Sequence, residues 1–307
     1  MQIILMHNPK AGDAKHGKKQ LMAALAKAGH QVTYQSTKKN NYKKALKKSA
    51  DLVIAAGGDG TVGKVGRELL DSGIPLSVLP LGTANNLARS LGFIGPVEKI
   101  IRQLKRGKKR AFDVGVARAP WGKRHFFESL GGGLLADYVR KAKREDKKTK
   151  GLSKEQEMTR HVALLRRMLH DYPTQEWKIE IDGKDVSGQY LLWEAMNIRS
   201  VGPALYLASN AATHDGHLDF VDAREEDRSL FITYLDFWLA GRRKKFPLQI
   251  SRFRQLKVVS KNPTLHLDGK SWPDKKRKRK GPTTIEVTVK PSALVILQPA
   301  RANKKRR

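Results

Sequence analysis

Apolar segments of strand length alternate with segments of helical periodicity through the first third of the chain. The predicted strands lie at 2–6, 31–35, 52–56 and 75–79, and the predicted helices at 18–28, 42–48, 62–70 and 85–91. This alternation predicts a doubly wound parallel sheet, with ligands bound at the carboxyl ends of its strands.

Strand-like segments dominate the remainder of the chain. They lie at 112–117, 125–128, 177–181, 190–197, 205–208, 217–221, 255–259, 264–267 and 284–289. We infer an antiparallel β-sandwich or barrel, broken by two helices at 154–170 and 229–240. Ser153 and Gln156 have capping-box spacing at the start of the first of these helices. A last strand at 293–297 could return to the first domain.

The predicted fold class is therefore α/β plus all-β. An α/β domain is expected over residues 1–117, a β-rich domain over 118–300 and a basic tail over 301–307.

A glycine turn follows the apolar strand at 52–56. Residues 55–63, AAGGDGTVG, place three glycines and one carboxylate there. Gly57, Gly58 and Gly60 are expected to adopt positive φ and to bring backbone N–H groups close to a ligand, and the N-terminus of the next helix favours an anion. Similar turns at 8–12 and 80–83 follow neighbouring strands, so the three turns together predict a nucleotide phosphate site.

Two common nucleotide motifs are excluded. The segment 58–63 formally matches GxGxxG, but it does not follow the first strand, and Pro80-Leu81-Gly82 lies where a dinucleotide-binding domain needs an acidic residue. A dehydrogenase is thus disfavoured. The chain also lacks the GxxxxGK[ST] spacing of a Walker A loop.

The chain is strongly basic, with 61 Lys and Arg against 29 Asp and Glu and a net charge of +32. The excess is concentrated in the segments 105–110, 140–150, 242–245, 275–280 and 304–307. These segments form either a solvated basic surface or a face that docks on an anionic membrane. Nucleic acid is disfavoured, because no helix-turn-helix, zinc-finger or RNP pattern accompanies the charge.

The absence of cysteine excludes disulfides, thiolate catalysis and cysteine zinc sites. The N-terminal MQIILMHNPK lacks the features of a signal peptide, and no apolar run is long enough to span a membrane. We expect a cytoplasmic protein that could also contact a membrane peripherally.

The motifs GGDGT at 57–61 and LPLGTANNLAR at 79–89 resemble those of the diacylglycerol kinase catalytic superfamily, specifically bacterial soluble lipid kinases related to sphingosine kinases. GGDGT alone is shared with nicotinamide-dinucleotide kinases, whereas GTANNLAR indicates the lipid-kinase branch. The resemblance continues in NPKAG at 8–12, FDVG at 112–115, FESLGGGLLAD at 127–137, LASNAATHDGHLDF at 207–220 and LDG at 267–269.

This resemblance implies Mg²⁺-dependent transfer of the γ-phosphoryl group of ATP to the hydroxyl of a lipid alcohol such as diacylglycerol. The residues that it assigns to ATP are Thr37, Gly57, Gly58, Asp59, Gly60, Thr61, Val62, Gly63 and Thr83. Asp268 matches the general base, and Asp59 and Asp113 match ligands of the catalytic Mg²⁺. A second, structural Mg²⁺ would be held by Asp215 and the backbone carbonyls of Ala212 and His217.

The chain departs from the family pattern in three motifs. Gly63-Lys64 replaces Asn-Glu, Asn86 replaces Asp, and Lys270 replaces Glu. These changes indicate a different acceptor, altered metal dependence or reduced activity. The alternatives are therefore a kinase of a soluble alcohol or a nicotinamide dinucleotide, and a catalytically impaired homologue that binds nucleotide or polyanion.

Some of these residues also have ordinary structural interpretations. Asp215-Gly216 and Asp268-Gly269 are dipeptides common in hairpin turns. The apolar segment 230–239, followed by the basic cluster 242–245, is typical of a core helix or of an interfacial helix beside the acceptor pocket.

Overall fold

The computed structural model describes residues 1–11, 16–145, 151–274 and 281–300. Its chain divides into two units. The first comprises Met1–Phe112 and the C-terminal residues from Ser292 onward, and the second comprises Asp113–Pro291. The basic tail at 301–307 and the basic segment at 275–280 lie outside the described residues.

A parallel sheet forms the centre of the first unit. Its strands are β1 (Gln2–His7), β2 (Gln31–Ser36), β3 (Leu52–Gly57) and β4 (Leu76–Pro80), and its helices are α1 (Lys18–Lys27), α2 (Tyr42–Ala45), α3 (Asp59–Glu68), α4 (Asn86–Ser90) and α5 (Val97–Gln103). The order β4-β3-β1-β2 is parallel throughout. The end of the last strand of the chain extends this sheet, with Ile296 opposite Leu76. The predicted doubly wound α/β architecture is confirmed.

Two layers of antiparallel strands form the second unit. The strands are β5 (Lys108–Ala119, which begins before the division), β6 (Gly122–Phe126), β7 (Ser129–Gly133), β8 (Gln175–Ile181), β9 (Lys184–Asp185), β10 (Gly188–Tyr190), β11 (Leu192–Met196), β12 (Leu218–Ala223), β13 (Ile250–Phe253), β14 (Gln255–Lys261), β15 (Leu265–Leu267), β16 (Lys270–Trp272) and β17 (Pro282–Gln298). One layer has the order β13-β12-β11-β7-β15-β16, and β10-β8-β14-β17 form the other.

Aromatic side chains fill the space between the two layers. Trp177 of β8 and Trp193 of β11 are both almost fully buried, and their rings meet edge to face at a centroid distance of 5.5 Å. Such pairs contribute beyond their buried area. This packing makes the unit a β-sandwich, as predicted.

Helices cover the opposite face of the six-stranded layer. They are α6 (Leu134–Glu145), α7 (Lys154–His170) and α8 (Arg228–Leu239). The bounds of α7 and the capping box of Ser153 and Gln156 agree with the prediction. Helix α6 was not among the predicted helices.

Several predicted segments were wrong in detail. The segment 205–208 forms no strand and contributes only an isolated bridge from Leu205 to Val201. The segment 190–197 is two strands, β10 and β11, in different layers. Helix α3 begins at Asp59 rather than at Val62, so the GGDGT motif includes the first helical turn.

Candidate functional site

The carboxyl ends of the four parallel strands are joined by backbone hydrogen bonds. Thr37 N–H donates to His7 O at 2.8 Å, Asn8 N–H donates to Ala56 O at 2.9 Å, and Leu81 N–H donates to Gly57 O at 3.0 Å. The strand order reverses between β1 and β3, which is where doubly wound sheets bind their ligands. The predicted phosphate turns therefore lie together at the edge that the sheet topology favours.

Close approach, rather than positive φ, explains the glycines at the end of β3. None of Gly57, Gly58 and Gly60 has positive φ, so that expectation was wrong. A Cβ added to Gly82 would lie 2.5 Å from the Cα of Gly58, and one added to Gly57 would lie 2.5 Å from Thr61 Oγ1. The turns after β3 and β4 thus meet backbone to backbone.

Asp59 connects the same two turns through its carboxylate. Its Oδ2 accepts the Asn86 N–H at 3.0 Å and its Oδ1 accepts the Leu87 N–H at 2.9 Å, so that it caps the start of α4. An ionised carboxylate offers about four acceptor positions. These two bonds are therefore compatible with coordination of Mg²⁺, which remains a prediction.

The other residues assigned to ATP differ in how much of their side chain a ligand could contact. Thr61 and Val62 are buried in the first turns of α3, so only their backbone could meet a phosphate. Gly63 is also buried, whereas Thr83 is half-buried in the turn after β4. Thr37 is almost fully buried at the end of β2.

Lys64, one of the departures from the family pattern, reaches the predicted nucleotide residue Thr37. Its Nζ donates to Thr37 O at 2.5 Å and lies 3.8 Å from the centroid of the Tyr42 ring. A cation over an aromatic face is stabilised by the ring quadrupole. The lysine therefore links α3 to the segment after β2.

Asp268 lies in the two-residue turn of the hairpin formed by β15 and β16. Asp268 and Gly269 both have positive φ, +48° and +65°, as a type I′ turn requires. The Asp268 Oδ1 accepts the N–H groups of Phe127 at 2.9 Å and Glu128 at 2.8 Å. The hairpin interpretation of the dipeptide is correct, and the turn also holds the carboxylate in a defined orientation.

Asn197 supports the segment that binds the Asp268 carboxylate. Its Nδ2 donates to Phe127 O at 3.1 Å and to Asp113 O at 2.9 Å, and its N–H donates to Glu128 O at 2.9 Å. This residue was not predicted as part of the site. An asparagine directly after an apolar strand was the only signal for it.

Asp113 anchors the HDG turn rather than standing exposed to a ligand. Its side chain is almost fully buried, and its Oδ2 accepts the Gly216 N–H at 2.7 Å. Its N–H donates to Thr213 O at 2.7 Å. The assignment of Asp113 to Mg²⁺ stays a prediction, while the contact that the structure shows is with the turn.

An arginine binds the carboxylate of Asp215. The Arg252 Nη2 lies 2.6 Å from Asp215 Oδ2, and the Asp215 Oδ1 accepts the His217 N–H at 3.1 Å. The His217 Nε2 accepts a hydrogen bond from Arg254 Nε at 3.2 Å. Half-buried Ala212 lies before this turn. The Arg252 guanidinium is paired with the Asp215 carboxylate, and the assignment of Ala212, Asp215 and His217 to a second Mg²⁺ stays a prediction.

Burial and the neighbouring charges of this cluster together shift the pKa of Asp219. Burial, followed by the negative charge of Asp215, raises the pKa of Asp219 to about 6. Arg252 and His217 act in the opposite direction. Within the described ranges, no group of three or more histidine or acidic side chains is arranged to hold a metal ion.

A buried polar pair includes His266, which lies two residues before Asp268. Glu194 and His266 are at most 1% exposed, and His266 Nε2 lies 2.6 Å from Glu194 Oε1. Neither residue was predicted as part of the site. A charged residue within the apolar strand LLWEAMN was the available signal.

Comparisons with known proteins agree with this arrangement of two units. The family described as "Diacylglycerol kinase catalytic domain" matches residues 2–117, and the family described as "YegS C-terminal NAD kinase beta sandwich-like domain" matches residues 142–298, about half of the chain. The chain therefore belongs to the family that carries this C-terminal sandwich, and its N-terminal part matches the diacylglycerol kinase catalytic domain.

Particular relatives share most of the length of the chain. A diacylglycerol kinase of Bacillus subtilis (strain 168) is 29% identical over 279 residues, which span 86% of this chain and 88% of the relative. A diacylglycerol kinase of Mycobacterium tuberculosis (strain H37Rv) is 23% identical over 83% of this chain and 79% of its own length. These relatives support a kinase of the general kind.

A solved structure shows the same fold. The crystal structure of a diacylglycerol kinase from Bacillus anthracis str. Sterne superposes with a TM-score of 0.69 at 19% identity, over 97% of this chain and 96% of that one. Among the described residues, no helix combines the length and the apolar character needed to cross a membrane.

Proposed function

We propose that the protein transfers the γ-phosphoryl group of ATP to the hydroxyl of a lipid alcohol, with diacylglycerol as the representative acceptor. The observation that carries the proposal is the orientation of Asp268, whose Oδ1 is held by the N–H groups of Phe127 and Glu128. A carboxylate held in this way is suited to accept the proton of an acceptor hydroxyl as the phosphoryl group transfers.

The first unit would supply the nucleotide site. The joined turns after β1, β3 and β4 would offer their backbone, together with the N-terminus of α3, to phosphate oxygens. Thr37 and Thr83 would contact the nucleotide. Asp59 would hold Mg²⁺, which when bound would neutralise phosphate charge. The side chain of Asp59 also keeps α4 in place through its two bonds to the backbone.

Peripheral contact with an anionic membrane would bring the enzyme to its acceptor. The aromatic face of α8 is buried, including Phe231, Tyr234 and Trp238, so insertion of this face is disfavoured. Arg243 lies 3.8 Å from the centroid of the Trp238 ring, next to Lys244 and Lys245. Attraction between these cations and anionic headgroups would supply the contact.

A soluble acceptor is the second candidate, because the matched C-terminal family is described as NAD kinase-like. A nicotinamide dinucleotide would need no lipid interface. A single assay separates the two candidates, since transfer to NAD proceeds without micelles and transfer to diacylglycerol requires them.

The test measures radiolabelled phosphate transferred from γ-labelled ATP, with Mg²⁺, to dioleoylglycerol in mixed micelles or to NAD in buffer. Asp268→Asn is expected to lower kcat by a factor on the order of 100 or more. Asp182→Asn is the matched control. Asp182 also begins an Asp-Gly turn with positive φ, and its Oδ1 also accepts two backbone N–H groups, from Arg254 and Gln255.

The expected result is labelled lipid from the wild type and from the Asp182 variant, and loss of labelled lipid in the Asp268 variant. Labelled NADP without labelled lipid would support the soluble acceptor in place of the lipid. Equal turnover of the Asp268 variant and the wild type would remove Asp268 from the mechanism.

A further inference from the structure

A buried polar pair crosses the middle of the six-stranded layer. Glu194 on β11 and His266 on β15 are both paired with Gly131 of the intervening strand β7. The missing side chain of Gly131 leaves the space in which they meet, because a Cβ there would lie 2.0 Å from Glu194 Oε1. The His266 Nε2 and Glu194 Oε1 atoms are 2.6 Å apart.

The stability of the fold does not explain this pair. Glu194 Oε2 and His266 Nδ1 are buried without a hydrogen-bond partner among the described residues. By strand alternation Glu194 shares its face with Leu192 and Met196, which belong to the apolar core. Buried polar atoms without partners are costly, and apolar residues of similar size often stabilise a core as well as a buried ion pair does.

The position of His266 connects the pair to Asp268. His266 lies two residues before Asp268 in a hairpin whose first strand, β15, has only three residues. The Asp268 N–H donates to Ser129 O of β7 at 2.9 Å, and the Asp268 carboxylate binds the two residues that precede β7. The alignment of β15 on β7 therefore decides where the carboxylate lies.

We propose that Glu194 and His266 are positioning residues for the general base Asp268. The pair fastens the short strand β15 to β11 across β7, and thereby prevents the Asp268 turn from sliding or tilting. The proposal rests on the proposed function, in which Asp268 accepts the acceptor proton. Misplacement of a reacting group by about 1 Å can lower a rate on the order of 100-fold.

The first test measures kcat and KM for Glu194→Gln, His266→Gln and the apolar double variant E194M/H266L. We expect kcat to fall about 10- to 100-fold in all three, with KM for ATP unchanged, because the phosphate turns lie in the other unit. The double variant is expected to unfold at a temperature no lower than the wild type. Leu192→Ala is the matched control, since it weakens the same face of β11 and leaves both side chains of the pair in place.

The same substitutions in the D268N background show whether the pair acts through Asp268. If it does, they cause no further loss, because the group that they position is already removed. An equal fold-loss in both backgrounds would overturn the proposal, as would an apolar double variant with wild-type kcat.

Hydrogen exchange measures the same effect without turnover. The proposal requires faster exchange of the Phe127 and Glu128 amides in the double variant than in Leu192→Ala, because these amides donate to Asp268. Unchanged exchange would overturn the proposal even if no acceptor is phosphorylated. Absent transfer in the wild type, by contrast, would refute only the proposed function.

Discussion

Replacing Gly60 with alanine tests whether glycine is needed at this position for the fold or for binding of the nucleotide. Gly60 is exposed in the first turn of α3, and an added Cβ would meet no atom within 4 Å. The fold therefore gives no reason for glycine. Gly→Ala at a compatible position stabilises a protein by about 0.4–1 kcal/mol, so we expect a slightly more stable protein.

Binding of ATP should change in the opposite direction. If the Gly60 backbone lies against a phosphate, the new methyl group occupies space that the phosphate needs. We expect at least a tenfold weaker Kd, which corresponds to about 1.4 kcal/mol, measured by isothermal titration calorimetry. Stability should be followed by circular dichroism, since all five tryptophans lie in the second unit and their fluorescence would not report on α3.

Gly82→Ala is the contrasting variant. Its Cβ would lie 2.5 Å from the Cα of Gly58, whereas carbon atoms normally stay about 3.5–4.0 Å apart. The two turns would have to separate by about 1 Å, which costs on the order of 1–3 kcal/mol, so both stability and binding should fall. Unchanged ATP affinity in Gly60→Ala would refute the placement of phosphate at this turn.

The remaining predictions concern the cations of the two units. Lys64→Met should raise KM for ATP several-fold with kcat unchanged, because the methionine cannot donate a hydrogen bond to Thr37 O. A lower kcat at constant KM would contradict this prediction. Arg252→Met should increase the rise in unfolding temperature that Mg²⁺ causes, relative to the wild type, because the substitution removes the guanidinium from the carboxylate of Asp215. An equal rise in both proteins would show that the guanidinium does not compete with the ion. Reversal of the four charges at 242–245 should weaken binding to anionic vesicles and spare binding to neutral ones, as measured by sedimentation, and unchanged anionic binding would contradict electrostatic docking.

Local patterns in the sequence predicted the elements that depend on local physics. The strand and helix alternation of the first unit follows from short apolar runs, and α7 follows from its capping box and from Pro173 beyond its end. The sequence also predicted that the phosphate turns lie together, because parallel strands place their carboxyl ends at one edge of the sheet.

Long-range features could not be predicted in this way. The meeting of Glu194 and His266 depends on the strand order β11-β7-β15, in which none of the neighbours is consecutive in the chain. The role of Gly131 follows from that order. Gly57 and Gly58 were given the wrong cause, because a sequence does not distinguish a glycine needed for φ from one needed for close packing.

Strand β17 has a consequence for how the chain folds during synthesis. Its first half pairs with β14, but Ile296 pairs with β4, and Ala293 O accepts the Asp71 N–H at 3.0 Å. The ribosome therefore delivers this neighbour of β4 only after the whole of the second unit has been made. Until then β4, which is mostly buried and apolar, is an unprotected edge strand open to aggregation. A fragment that ends near residue 117 would keep that edge permanently.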